Sequence, residues 1–177
     1  MDDLERLELF EETVLPHLDA AYNLARWLAG NDHDAQDVAQ EASLRAFKFF
    51  GSFRGENPQA WLLTIVRNTF YTWLRKNRPP EKTVGIDDET LDIEDVSVNA
   101  QAVNPPFADA DAVRRAIADL PLEFREIVIL REMEGFSYKE IAELAAVPIG
   151  TVMSRLARAR KLLQKSLAAA FNPGDQP

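Results

Sequence analysis

A chain of 177 residues and 20.0 kDa, 46% hydrophobic and 28% charged, is sized for one compact domain or two small ones in a soluble protein. Cysteine is absent and histidine occurs only as His17 and His33, which excludes disulfide frameworks, thiol nucleophiles and Cys- or His-rich metal sites. The net charge of −9 is uneven: residues 54–82 and 135–177 are basic islands set between acidic stretches, so local patches can hold phosphate while the whole chain repels it.

Leu7, Phe10, Val14, Leu18, Ala21 and Ala25 fall at steps of three and four, the spacing of a helical stripe, with Pro16 starting or kinking a helix. Asn31-Asp32 supplies N-caps for a helix through Phe50, with Val38, Ala42, Ala46 and Phe49 on one face. Asn57-Pro58 opens the next helix. On its wheel, Trp61, Leu62, Ile65, Val66, Thr69, Phe70, Trp73 and Leu74 form an apolar arc, which assigns Trp61 and Trp73 to the core. Opposite lie Thr64, Arg67, Asn68, Tyr71, Arg75 and Arg78. A solvated face normally mixes signs, and this helix has no acidic residue after Glu56.

Residues 79–107 contain Pro79-Pro80, the run Asp87-Asp88-Glu89, then Asp92, Glu94, Asp95 and Asn104-Pro105-Pro106, without helical period. This predicts an extended acidic linker between two helical domains, 1–78 and 108–177. In the second, helices are expected over Ala108–Asp119 and from Pro121 through Met133. Ser137 and Glu140 read as a capping box for a helix over Tyr138–Ala145 that buries Ile141, Ala142 and Leu144. Ala145-Ala146-Val147-Pro148 then interrupts, and a helix runs from Ile149 to Ala170. Its core face is Val152, Leu156, Ala159 and Leu163; Thr151, Ser154, Arg158, Lys161 and Lys165 lie opposite. Two helices joined by a tight turn, the second carrying hydroxyls and cations, suit a helix-turn-helix in a major groove. The fold class expected is therefore all-α.

Phe136-Ser-Tyr-Lys-Glu-Ile-Ala-Glu-Leu followed by Val147-Pro-Ile-Gly-Thr-Val-Met-Ser-Arg-Leu-Ala-Arg-Ala-Arg160, with Leu120-Pro-Leu-Glu-Phe-Arg-Glu upstream, resembles domain 4 of the extracytoplasmic-function sigma factors of the sigma-70 family. Asp34-Ala-Gln-Asp-Val-Ala-Gln-Glu41 resembles the acidic helix of domain 2, and Ser52-Phe-Arg-Gly, Ala60-Trp-Leu and Ile65-Val-Arg-Asn68 follow in the family's order. The resemblance spans about residues 8–170.

By position, the resemblance implies that Asp37, Gln40 and Glu41 dock on a coiled coil of bacterial core RNA polymerase, an acidic face for a basic partner. Asp32 and Asp34, at the helix start, are explained by the helix dipole. The loop Gly51–Asn57 matches the −10 specificity loop, with Phe53 lining a base pocket, Asn68 offering an amide to bases, and Arg67, Tyr71 and Arg75 tracking the backbone. For Phe53 a place in the core is an equal alternative. Thr151, Ser154, Arg155, Arg158 and Lys161 are the candidates for the −35 element. Met153 stands where many relatives carry a basic residue, so no exact −35 sequence transfers. The implied partners are core polymerase, promoter DNA and an anti-sigma factor, with no direct membrane insertion.

No catalytic constellation, metal site or cofactor is expected, and His17 and His33 stand alone. No apolar run reaches the ~20 residues of a membrane span, and the acidic start lacks the features of a signal peptide, so a cytoplasmic location is expected. A self-sufficient helix-turn-helix dimer would need a dimerisation or ligand element, and none is evident. A sequestering protein that reads no DNA should lack one basic face, and both are present.

Overall fold

The computed structural model describes residues 2–77 and 110–171, the last by its backbone only; the expected linker and Arg78 lie outside the described residues. Among the described residues the fold is all-α. The N-terminal group comprises α1 (Asp3–Val14), α2 (Leu18–Ala29), α3 (Asp32–Phe49) and α4 (Pro58–Asn77). The C-terminal group comprises α5 (Ala110–Ala118), α6 (Leu122–Val128), α7 (Tyr138–Ala145) and α8 (Ile149–Phe171).

Helices α1, α3, α4 and α7 start where a side chain takes one or more of their first free amides. Asp2 accepts from the amides of Leu4 and Glu5, and Glu5 returns a contact to the Asp2 amide, closing a capping box that the sequence reading did not include. Pro16 lies in a 3-10 turn, Leu15–His17, that separates α1 from α2. Asn31 caps α3 through the Asp34 amide at 2.9 Å, as its place before the apolar period predicts. Asn57 caps α4 through the Ala60 amide at 3.0 Å, with Pro58 in the first turn, where its missing N–H leaves no gap.

Two details differ from the periodic reading. Phe49 is 53% exposed, and Phe50 is buried in its place. A 3-10 turn over Phe50–Ser52 winds tighter than an α-helix and turns the next ring inward, where it meets Phe10 edge-on at 5.4 Å. The helix expected from Pro121 through Met133 is α-helical only to Val128, and continues as a π-helical turn over Ile129–Met133.

Helices α2, α3 and α4 pack on one another around Leu24, Val38, Ala42, Leu62, Val66 and Phe70, while α5, α6 and α7 pack on the buried face of α8. Val152, Leu156 and Ala159 on that face are buried and Leu163 is half-buried. The two groups also touch, α7 lying against α4 and α6 against α2. The apolar core is consequently continuous from Phe10 to Ala159. No described helix is long and apolar enough to cross a membrane.

Candidate nucleic-acid interface

The polar arc of α4 is split in two. Asn68 and Arg75 are exposed, whereas Arg67 and Tyr71 are half-buried beneath α6. The reason is Glu126, a carboxylate only 1% exposed. Arg67 Nε donates to Glu126 Oε1, and Tyr71 OH donates to Glu126 Oε2 at 3.0 Å. The Arg67 guanidinium also lies 4.5 Å from the centre of the Tyr71 ring, a cation–π contact. Burial, reinforced by the Glu126 charge, holds the Tyr71 hydroxyl far above its ordinary value, so it remains a donor. Burial likewise lifts the Glu126 carboxyl, against the pull of Arg67 and of the two hydrogen bonds. Thus the face that lacks acidic partners on its own helix receives one from a residue 59 positions away.

Glu126 was not among the residues singled out from sequence. The available signal was a carboxylate inside the apolar run Phe124–Leu130, set against a basic face elsewhere with no partner. Gln59 and Glu134 were missed in the same way. Gln59 Nε2 donates to Glu134 Oε2 at 2.7 Å, and burial raises the Glu134 carboxyl against that bond. A third cross-link runs from Arg125 Nη2 to the Leu28 carbonyl at 3.3 Å.

The loop before α4 reverses at Gly55, whose φ of +87° is a conformation that favours glycine. Phe53, at the loop's start, is half-buried, with its ring stacked on Phe50 at 6.1 Å and tilted against Trp61 at 5.3 Å. Trp61 and Trp73 pack against the core, as their arc predicts.

On α3, Asp37, Gln40 and Glu41 are all exposed on successive turns. Glu41 Oε1 accepts from Arg45 Nε at 3.0 Å, and Asp37 lies 3.8 Å from His33, which therefore does not stand alone. Asp32 and Asp34 have local partners: Asp32 accepts from Arg26 at 2.5 Å, and Asp34 accepts from the Asn31 amide group at 2.7 Å. Gln40 also lines a groove between α2 and α3 with Leu18, Tyr22, Ser43 and Leu44.

The helix-turn-helix is α7, the turn at Ala146–Pro148, and α8. Ser137 Oγ accepts from the Glu140 amide at 3.1 Å, and the Glu140 carboxylate takes the Ser137 hydroxyl rather than its N–H. Ile141, Leu144 and Ala145 are buried; Ala142 is only half-buried. Ala146 ends α7 in the left-handed region, at φ 55° and ψ 46°, allowing the Val147 amide to reach the Ala142 carbonyl at 3.1 Å. On α8, Thr151, Ser154 and Arg158 are half-buried and Met153 and Lys161 are exposed. Arg155 is turned inward, 12% exposed and 3.8 Å from Glu123 of α6. Thr151, Ser154 and Arg158 lie in the N-terminal half of α8 and Lys161 in the turn that follows, whereas Arg155 is set against α6 rather than outward.

Two family descriptions match the chain: "Sigma-70 region 2" over residues 13–79 and "Sigma-70, region 4" over residues 110–163. The ECF RNA polymerase sigma factor SigE of Mycolicibacterium smegmatis is 34% identical over 167 residues, covering 94% of this chain; the match spans 64% of that longer relative. The RNA polymerase sigma-H factor of Pseudomonas aeruginosa is also 34% identical, with 89% of this chain and 86% of the relative covered. Among solved structures, the sigma factor RpoE of Bartonella quintana, crystallised with the anti-sigma factor NepR, is 31% identical, superposes with a TM-score of 0.69 and covers 94% of this chain and 98% of that one. With both regions present in order around the helix-turn-helix described above, the chain belongs to the sigma-70 family, in its extracytoplasmic-function (ECF) group.

Proposed function

We propose that this chain binds bacterial core RNA polymerase in the cytoplasm and directs it to a defined set of promoters, the polymerase performing all of the chemistry. The polymerase contact is assigned to Asp37, Gln40 and Glu41, exposed on one stretch of α3. Contact with the −10 element is assigned to Asn68, Arg67, Tyr71 and Arg75 on α4 and to Phe53 in the preceding loop. Contact with the −35 element is assigned to Thr151, Ser154, Arg158 and Lys161 on α8, with Arg155 supporting the helix from its inner side. The division into a −10-reading domain, 1–78, and a −35-reading domain, 108–177, joined by the acidic segment 79–107, follows from the same assignment. An anti-sigma factor is the proposed regulator, since the Bartonella relative was crystallised with one.

The observation that carries this reading is the occurrence of two separate basic or amide-bearing helix faces, α4 and α8, in a chain of net charge −9. Phosphate contacts supply much of DNA affinity and weaken steeply with salt. An acidic chain with two small basic faces is suited to reading DNA when a larger machine holds it there. The test is transcription in vitro by core polymerase on a random promoter library, with and without the chain. Enrichment of promoters sharing two spaced elements is expected. Tight, sequence-specific duplex binding by the free chain near physiological salt, with no effect on core polymerase, would overturn the reading.

A further inference from the structure

We infer that Met153, on an apolar ridge of α8, reads the 5-methyl group of a thymine in the −35 element, and so selects that base without a hydrogen bond. This deepens the assignment of α8 to the −35 element and rests on it.

The first turns of α8 carry two parallel rows of residues at intervals of four. Ile149, Met153 and Ala157 form an apolar row; Gly150, Ser154 and Arg158 form the row beside it. Val152, Leu156 and Ala159 hold the helix to the core. A wheel at ~100° per residue sets Met153 and Ala157 on the same outer arc as Ser154 and Lys161. Ile149 is 49% exposed and Met153 51%. One exposed apolar residue needs no explanation. Two of them one turn apart, leading into a face of hydroxyls and cations, give that face an apolar edge. The surface around Met153 is low. Ala157 adds only a methyl, and Gly150 adds no side chain; a Cβ there would meet nothing within 4 Å. The protein thus leaves space in which a base edge can approach the Met153 thioether.

Of the four bases, thymine is the one that presents a methyl group to the major groove. Met153 has no donor for the N7 and O6 acceptors of guanine, whereas its unbranched, polarisable side chain adapts to an apolar neighbour. A basic side chain at the same place would favour guanine instead. Contact between the thioether and the methyl removes both from water, and the loss of one buried methyl weakens binding about fourfold.

The experiment uses the full chain with core polymerase and duplexes of a promoter that this holoenzyme transcribes. Each −35 thymine is replaced singly by deoxyuridine, which deletes the methyl and keeps the base pair and its O4 acceptor; the −10 element is unaltered. One replacement should weaken binding by the wild-type holoenzyme about fourfold in competition assays. Met153→Ala should bind the thymine and deoxyuridine duplexes equally. Met153→Arg should prefer guanine at that place by about fivefold or more. Because Met153 is exposed, both variants should keep the thermal midpoint of wild type.

Equal binding of wild type to all the thymine and deoxyuridine duplexes overturns the inference, as does a −35 element that contains no thymine. A deoxyuridine penalty that survives Met153→Ala overturns it too. So does a Met153→Ala loss of the same size with and without the −35 element, which would set the ridge against protein. Arg158→Ala checks the assignment beneath. If it weakens use of the −35 element while no duplex shows a methyl penalty, only the methyl reading fails; if use of that element is unchanged, both fail.

Discussion

Arg67 of α4 and Glu126 of α6 form a buried ion pair across the junction of the two helix groups, the guanidinium side chain 17% exposed and the carboxylate side chain 1%. Removing one partner of such a pair leaves the other desolvated and uncompensated, which is far worse than removing both. Glu126→Ala should therefore lower unfolding stability by about 3 kcal/mol, the low end of the usual range because Arg67 can turn toward water. The double variant Arg67→Met/Glu126→Leu should lose markedly less than Arg67→Met and Glu126→Leu, measured singly, added together. Urea unfolding of the four chains measures the coupling; additive losses would mean that the pair contributes nothing as a pair.

The same carboxylate fixes the sign of a pH effect. Burial raises Glu126 above its ordinary value of 4.5, and Arg67 and Tyr71 of α4 and Arg155 of α8, which face it, lower it only in part. An acid raised in the folded state contributes stability that is fully present below its unfolded value and is lost as pH rises through its folded value. The stability of wild type relative to Glu126→Gln should accordingly be greatest below the ordinary carboxyl value of 4.5 and decline as pH rises above it. Thermal midpoints of both chains across that range decide it; a difference that grows with pH contradicts the assignment.

Much of the local structure was legible because local rules decide it. Asn31, Asn57-Pro58 and Ser137 cap the helices that their spacing predicts. Val38, Ala42 and Ala46 are buried where a 3.6-residue period puts them. The period failed at the end of α3, where Phe49 is exposed and Phe50, opening the 3-10 turn, takes the place against Phe10; a wheel carries no information about which of two adjacent rings the α1 side chain will meet. The polar arc of α4 was correctly drawn from sequence, yet its burial was not. Whether a basic face meets water or a carboxylate depends on a residue from another helix, and the sequence order near α4 does not encode that pairing. Arg155 shows the same limit on α8: its spacing allows an outward direction, and Glu123 on a packed neighbour sets it inward.

Ala146 holds a left-handed conformation at φ 55° without the freedom of glycine. The strain of an L-residue there is about 1–2 kcal/mol, partly offset by the entropy that glycine adds to the unfolded chain. Ala146→Gly should stabilise the chain by about 0.5–1 kcal/mol and leave promoter preference unchanged. A loss of stability would show that the turn tolerates the alanine through contacts the backbone angle does not reveal.

Glu41 is exposed on α3 and pairs with Arg45 of the next turn. Glu41→Lys removes a pair worth only about 0.3–0.5 kcal/mol, so circular dichroism should not change. Association with core polymerase should weaken by about 2–5 kcal/mol if the charge meets a buried cation at the interface. Competition against wild type for core polymerase gives the value; unchanged affinity would take Glu41 out of the interface.

The central claim is that α4 and α8 read different promoter elements. It is tested most directly by transcription with core polymerase from one promoter and from versions altered in a single element, comparing wild type, Asn68→Ala and Arg158→Ala. Each lost base contact is worth about 1–3 kcal/mol. Asn68→Ala should weaken use of the −10 element and be partly rescued by a pre-melted template. Arg158→Ala should weaken use of the −35 element and gain nothing from pre-melting. The same promoter profile for both substitutions would contradict the division of labour between the two helices.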